Sequence, residues 1–443
     1  MMDRALAVRA AALYAPTLLA AAFGVSRLRT RRHIGAVLVG AFYALGSLLV
    51  LQLLNLHFGW WQFHVSSALL RHMPADLYLG WTVLWGVLPT LAFPRTRLWQ
   101  VILIFLGIDL VAMPLCFPAV QLSPDWLVGE LAAVCLVLIP AQLFSRWTLH
   151  DLHLSARVTL QVVTAGMVFL LLLPEVIFAA TGHGSWAPLH TGRLWIRNLA
   201  LQCIALLAVG GVSAVQEFAQ RGAGTPIPYD PPKRLVSSGL YRYIANPMQT
   251  SCVLTLTAWG LLLKNPWLAA SGLMALIYSS GLARWNEGDE MRERFGASWP
   301  RYRSDVKDWK LRWRPWHDPQ NPMPRLYVAE SCGPCSEVRR WFEARHPVAL
   351  NIMAAEDHPS RDLSRITYDP MDGTLPEEGI RAFARGLEHL NFAWAYVGAC
   401  LRLPIVRQFI QLLLDVSGLG PQTIRRRNPE NGYCEIPSHS QNN

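Results

Sequence analysis

Two short stretches of the 443-residue chain gather side chains able to do chemistry. The first reads GLYRYIANPMQTS, residues 239–251, immediately before a long apolar run. Arg242 can meet a carboxylate through a charge-assisted bond, and Tyr241 and Tyr243 can flank a flat ring. Further along, Glu287 can accept from ribose hydroxyls or an amino group. Such a set suits a zwitterionic, ribose-bearing cofactor. An interfacial aromatic belt at a helix start is the plainer reading of the same residues. The second stretch is Cys332-Gly333-Pro334-Cys335, placed between a short apolar run at 326–329 and a helical pattern through Phe342. A cysteine at a helix N-terminus has its thiolate stabilised by free N–H groups and the helix dipole. A second cysteine one turn along can resolve a mixed disulfide. A zinc half-site would need partners, but Cys400 and Cys434 stand alone and His346 and His358 lack ligand spacing, so no metal is expected. An inert structural pair is the other alternative.

These residues have to be positioned, and composition says by what. Hydrophobic residues make up 52% of the chain and charged ones 16%, below the roughly 25% of soluble domains. Eighteen tryptophans suit two water–lipid interfaces. The net charge of +10 is scattered over loops without a basic aromatic face, which argues against nucleic acid. Apolar runs that approach or reach the ~20 residues of a crossing helix fall at 5–25, 34–57, 76–93, 99–119, 126–145, 157–180 and 196–218. Two more, 250–263 and 266–284, meet at a tight break over 264–266 and read as a helical hairpin. Nine spans put Arg27, Arg29, Arg31, Arg32, Arg95, Arg97, Arg146, Arg157, Arg221, Lys233, Arg234 and Arg242 on one side. The other side holds only Arg4, Arg9, Arg71, Arg193, Arg197 and Lys264. The positive-inside bias then places the N-terminus outside and everything after Trp285 in the cytoplasm.

The order LVSSGLYRYIANPMQTS, hairpin, NEGDEMRERFGASWPRY resembles the isoprenylcysteine carboxyl methyltransferase and phospholipid methyltransferase families over about residues 226–310. The resemblance implies an integral membrane enzyme using S-adenosylmethionine. It carries cofactor contacts onto Tyr241, Arg242, Asn246, Pro247, Glu287 and Tyr302, with Gly239, Phe295 and Gly296 in register. The chain departs from the pattern at Ala245-Asn246, where the families have Arg-His, and at Gln249, Gly288 and Trp299. Asn246 keeps the hydrogen bonding of a neutral histidine but cannot act as acid or base. Residues 325–427 resemble the small thioredoxin-like family of DCC thiol–disulfide oxidoreductases, through the strand into Cys332, ITYDPMDGTLPEEGIRAFARGLEHL and AWAYVGACLRLPIV. That family's acidic approach to the first cysteine reads Ala329-Glu330-Ser331 here.

The expected architecture is an α-helical polytopic membrane domain of about nine transmembrane helices followed by a small α/β thioredoxin-like domain. N-terminal spans occupy 1–225, the methyltransferase-like loop, hairpin and exit helix 226–312, a Pro-rich linker 313–324, the CxxC domain 325–427 and a disordered tail 428–443. The run 392–416, broken by Arg402, Pro404 and Arg407, reads as two amphipathic helices rather than a tenth span. The chain is expected to be an integral membrane protein, of the plasma membrane if bacterial. Two functions stay open. One is a methyltransferase acting at the cytoplasmic face on a lipophilic or thiol-bearing acceptor, with a fused dithiol domain. The other is a membrane-anchored thiol–disulfide oxidoreductase, with a protein thiol partner, whose methyltransferase-like fold is a scaffold for lipid or quinone. Asp109, Glu130 and Glu175 fall in or near spans, where acids are costly, and Glu175 is the candidate for lining a substrate cavity. His57, His64 and His72 cluster around HFGWWQFH and suit an interface beside tryptophan.

Overall fold

The computed structural model describes residues 2–28, 30–65, 67–117, 119–225, 232–278 and 291–427. Glu287, Gly288 and Cys434 lie outside these residues, as does the expected tail 428–443. The fold is mostly helical, and the chain divides into two compact units. The first comprises Met1–Ala205, Phe218–Lys233 and Cys252–Ile277; the second comprises Leu206–Glu217, Arg234–Ser251 and Tyr278–Asn443.

Among the described residues six helices are long and apolar enough to cross a bilayer: Arg4–Arg27, Arg31–Phe58, Leu98–Leu115, Trp126–Leu149, Leu154–Thr181 and Leu194–Gln220. Nine were expected, and the difference has a physical basis. The 76–93 run does form a helical stretch, Ala75–Trp81 continued by a π turn and Leu88–Ala92. Asp76, threonines, glycines and two tryptophans dilute its apolar character below that of a span. Of the hairpin helices, Pro247–Leu262 has 16 residues, fewer than the ~20 of a full crossing, and Pro266–Tyr278 is described as far as Tyr278, the rest of the 266–284 run lying outside the described residues. The 392–416 run forms Phe392–Arg402 and Pro404–Leu414, bent by 88° where Pro404 cannot continue the preceding helix; counted as one bent span, it would raise six to seven.

In the first unit the Arg31–Phe58 helix starts at Thr30, whose hydroxyl accepts the His33 N–H, and stops at Gly59, which adopts a left-handed conformation. Its middle is almost wholly buried. It makes one approach backbone to backbone: a Cβ at Gly40 would stand 2.4 Å from the Gly86 carbonyl oxygen, and one at Gly86 would stand 2.6 Å from that of Gly40. Small residues allow such crossings inside a bilayer, where burial of apolar surface supplies no drive between helices. At the end of this helix Asn55 clamps a turn, donating to the Trp61 carbonyl and accepting from the Trp61 N–H, both at 3.0 Å. Trp61–Phe63 (β1) then pairs antiparallel with Val120–Leu122 (β4), while Leu69–Leu70 (β2) pairs with Met73–Pro74 (β3). The expected intramembrane acids are buried here. Asp109 accepts from the Trp85 indole at 2.7 Å, and the Glu130 carboxylate has no hydrogen-bond partner among the described residues.

The second unit carries a four-stranded sheet in the order β6-β5-β7-β8. Arg325–Val328 (β5) and Asn351–Ala354 (β6) run parallel with Arg325 opposite Asn351. Parallel neighbours need a crossover, which the Gly333–Glu343 helix provides. Thr367–Asp369 (β7) and Glu377–Glu378 (β8) add antiparallel, and the Ile380–Leu387 helix follows. Leu326, Val328, Phe342, Tyr368 and Leu387 form the core between sheet and helices. Residues 313–324 lie inside this unit.

The Gly40–Gly86 crossing leads to a direct expectation. Gly40→Val should overpack it and lower stability by about 1–3 kcal/mol, read as a drop in the thermal unfolding midpoint in detergent. An unchanged midpoint would mean that the crossing tolerates a side chain.

Candidate functional site

The GLYRYIANPMQTS stretch folds as a single turn of 3-10 helix, Gly239–Arg242, feeding the Pro247–Leu262 helix. Tyr241, Arg242, Tyr243 and Tyr302 are buried. The turn is fastened to the segment that follows the Ser298–Asp305 helix: Ala245 N–H donates to the Lys307 carbonyl, Arg312 N–H to that of Tyr243 and Trp316 N–H to that of Arg242, each at 3.0 Å. Tyr302 donates its hydroxyl to the Tyr241 carbonyl at 2.8 Å. Its role here is to latch the turn. Arg242 donates to the Trp316 carbonyl at 3.3 Å, leaving its Nε without a partner among the described residues. Asn246 donates to Gln249 at 2.9 Å, and its Oδ1 is likewise buried and unpartnered. Five of the six expected cofactor residues are therefore placed: Tyr241, Arg242, Asn246 and Pro247 lie in one turn and helix start, and Tyr302 backs that turn. The sixth, Glu287, is outside the described residues.

A buried ion cluster holds this turn, and sequence reasoning did not find it. Glu217, Glu377, Arg385, Glu388 and Arg402 are all at most 8% exposed. Arg385 reaches Glu217 at 2.6 Å, Glu377 at 2.8 Å and Glu388 at 3.0 Å. Arg402 binds Glu388 at 3.0 Å and also pairs with Glu217. The carboxylates then grip the motif: Glu388 accepts the Gly239 N–H at 2.8 Å, and Glu217 accepts the Ser238 hydroxyl at 2.7 Å. Gly239 has φ +61°, and a Cβ there would lie 2.8 Å from Glu217 Cγ, so glycine is required twice over. The available signal was charge inside apolar sequence, Glu217 closing one apolar run and Arg402 interrupting another.

The cysteine pair sits as its spacing predicts. Cys332 is the N-cap of the Gly333–Glu343 helix, Pro334 occupies its first turn, and the two sulfurs are 2.7 Å apart. Burial, then the hydrogen bond and charge of Cys332 and the charge of Glu356, push the Cys335 thiol up to about 12. The loop into Cys332 is shaped by Glu356, a second residue that sequence reasoning passed over. Its carboxylate accepts the Ser331 N–H at 3.0 Å, the Ser331 hydroxyl at 2.7 Å and the Glu330 N–H at 3.1 Å. Burial alone would raise its pKa, but these bonds outweigh it and hold the group below the usual carboxylate value.

In the first unit Glu175 is engaged by Arg71 at 2.6 Å and by the Trp186 indole. His64 contacts Gln121 at 2.6 Å, and His57 packs edge-on against Phe58. Among the described residues no group of three His, Cys, Asp or Glu side chains is arranged to hold a metal ion.

Comparison with known proteins bears on the first of the two stretches. Residues 197–298 match the model of the phospholipid methyltransferase family. The match covers less than a quarter of the chain. It includes the 239–251 motif, begins earlier than the expected 226, taking in most of the Leu194–Gln220 helix and Glu217, and ends before Tyr302. No curated protein and no solved structure matches the chain. Together with the six apolar helices, the match supports an integral membrane protein that carries a segment similar to this family.

Glu356 gives the site a pH signature. Its folded pKa is depressed, so its contribution to stability is complete above the ordinary glutamate value of about 4.3 and is lost as pH falls through the lower folded value. The wild-type unfolding midpoint should therefore drop more steeply below pH 4.3 than that of Glu356→Gln, which lacks the charge at any pH. Parallel acid titrations of the two would show that the carboxylate does not brace the loop.

Proposed function

We propose that the chain is an integral membrane methyltransferase that uses S-adenosylmethionine and carries a dithiol redox domain at its carboxy-terminal end. The observation that supports this most is a pair of buried polar atoms, Arg242 Nε and Asn246 Oδ1, inside the family-matched segment and without a hydrogen-bond partner among the described residues. A lone buried donor and a lone buried acceptor are costly unless a ligand completes them. They fit a zwitterion, with Arg242 holding a carboxylate and Asn246 accepting from an ammonium group. Tyr241 and Tyr302 fix the turn from which both side chains project. When bound, the cofactor supplies an electrophilic methyl group. The chain's own task is to align a lipophilic acceptor and exclude water, which needs no general base at Asn246. In this reading Glu287 completes the cofactor contacts, and the motif and all that follows face the cytoplasm.

Titration calorimetry of the detergent-purified full chain with S-adenosylmethionine tests the proposal. Binding should weaken about 10–100-fold in Arg242→Gln and in Asn246→Leu, as expected for losing a hydrogen bond to a charged group. Absence of binding to folded wild-type protein at millimolar cofactor would sink it.

A second reading, a thioredoxin-like thiol–disulfide oxidoreductase on a membrane scaffold, is favoured by the geometry of Cys332 and Cys335. The parallel strand–helix–strand, the antiparallel pair and the closing helix support a thioredoxin-like domain. Cys335 keeps its proton near neutral pH, so attack falls to Cys332 and resolution to Cys335. Iodoacetamide at pH 8, followed by peptide mass spectrometry, should label Cys332 first, with Cys335 at least about a hundredfold slower than an ordinary thiol. Equal labelling of the two cysteines would remove this division of roles.

A further inference from the structure

Beside the dithiol the second unit encloses a cavity of about 310 Å³, at the lower end of the ~300–1,000 Å³ range of small-molecule pockets. Cys332 and Cys335 line it together with Ile366, Ile380, Phe383 and Ile410. Four polar residues also line it, Ser364, Arg365, Gln411 and Gln422; Ser364 and Gln422 are exposed residues joined through their backbones, and Arg365 and Gln411 have side chains that are already committed. Arg365 grips Asp415 with two bonds, at 2.6 and 2.9 Å. Gln411 donates to the same carboxylate at 2.8 Å and accepts the Ile380 N–H at 2.9 Å. The lining is largely hydrocarbon and includes the two cysteines.

We infer that the dithiol acts on a small apolar disulfide whose hydrocarbon part fills this cavity. The inference rests on the oxidoreductase reading above. Thiol exchange requires only access to one sulfur atom, whereas a quinone would need donors for two carbonyl oxygens, and Arg365 and Gln411 are already paired. The Cys332 thiolate attacks one sulfur of the substrate R–S–S–R′, forming Cys332–S–S–R and expelling R′–S⁻, which takes a proton from water. Cys335 then loses its proton to solvent and attacks the Cys332 sulfur of the mixed disulfide. R–S⁻ leaves and is protonated, and the Cys332–Cys335 disulfide closes. Two electrons pass from the protein dithiol to the substrate, which becomes two thiols, and a single turnover needs no other reductant.

The experiment is a single-turnover oxidation of the pre-reduced full chain in detergent, following the Cys332–Cys335 disulfide by mass spectrometry. Dibutyl disulfide and bis(2-hydroxyethyl) disulfide are compared at equal concentration, each rate divided by that of dithiothreitol in the same micelles to remove partitioning. The ratio should favour dibutyl disulfide by about tenfold or more, the worth of a few methylenes in an apolar pocket. Ile410→Asn should bring it toward one, while the similarly sized apolar variant Ile410→Met should keep it, which guards against a mere folding defect. Equal normalised rates in wild type would overturn the apolar pocket and leave the dithiol chemistry standing. Failure of both disulfides to oxidise the pair would overturn the oxidoreductase reading itself. Faster oxidation by a short-chain benzoquinone than by either disulfide would overturn the substrate class.

Discussion

Charges that cannot reach water organise the second unit. Glu217, Arg385, Glu388, Arg402 and Glu377 are removed from solvent together, and each alone would cost several kcal/mol to desolvate. They are tolerable only as a set: Arg385 is shared among three carboxylates, and Glu217 and Glu388 each meet both arginines. Such a cluster is poor evidence for stability, since apolar replacements often do as well. Its effect is geometric. Glu388 and Glu217 spend their remaining oxygens on Gly239 and Ser238, so the conformation of the motif is set by the same ions that close the Ile380–Leu387 helix against its neighbours.

The two candidate chemistries consequently share one compact unit. The Pro-rich residues 313–324 do not behave as a free tether. Trp316 is hydrogen-bonded to Arg242 through its backbone, and the Trp313 carbonyl accepts the N–H of Phe392 at the start of the next long helix. Tyr243, fully buried, donates its hydroxyl to the Glu388 carbonyl at 2.9 Å. A displacement of the Glu388 turn would therefore be felt at Tyr243 and Gly239, and a displacement of the motif at the linker.

The dithiol shows the same economy of means on a smaller scale. The local sequence supplies the helix N-terminus, with Cys332 at the cap and Pro334 in the first turn. A carboxylate from elsewhere supplies the loop. Glu356 stands just past the end of β6, beside the strand that carries the chain into Cys332, and it holds Glu330 and Ser331 by three donors.

The sequence by itself determined whatever depends on near neighbours in the chain. Length and hydropathy placed the six long apolar helices to within a few residues, because a crossing helix is a local object with a fixed length. Pro404 after Arg402 marked the sharp bend in the 392–416 run, and Cys-Gly-Pro-Cys marked a helix start beside a strand. Among the described residues fewer runs reach the length and apolarity of a crossing helix than the sequence suggests, where a run is short, as at 250–263, or carries polar residues, as at 76–93. Only the tertiary structure decided which distant groups meet. Nothing local in Glu217 names Arg385 as its partner, and nothing in Glu356 names Ser331. A buried charge is paired by whatever opposite charge the fold brings within about 3 Å, and that is a property of packing between segments far apart in sequence.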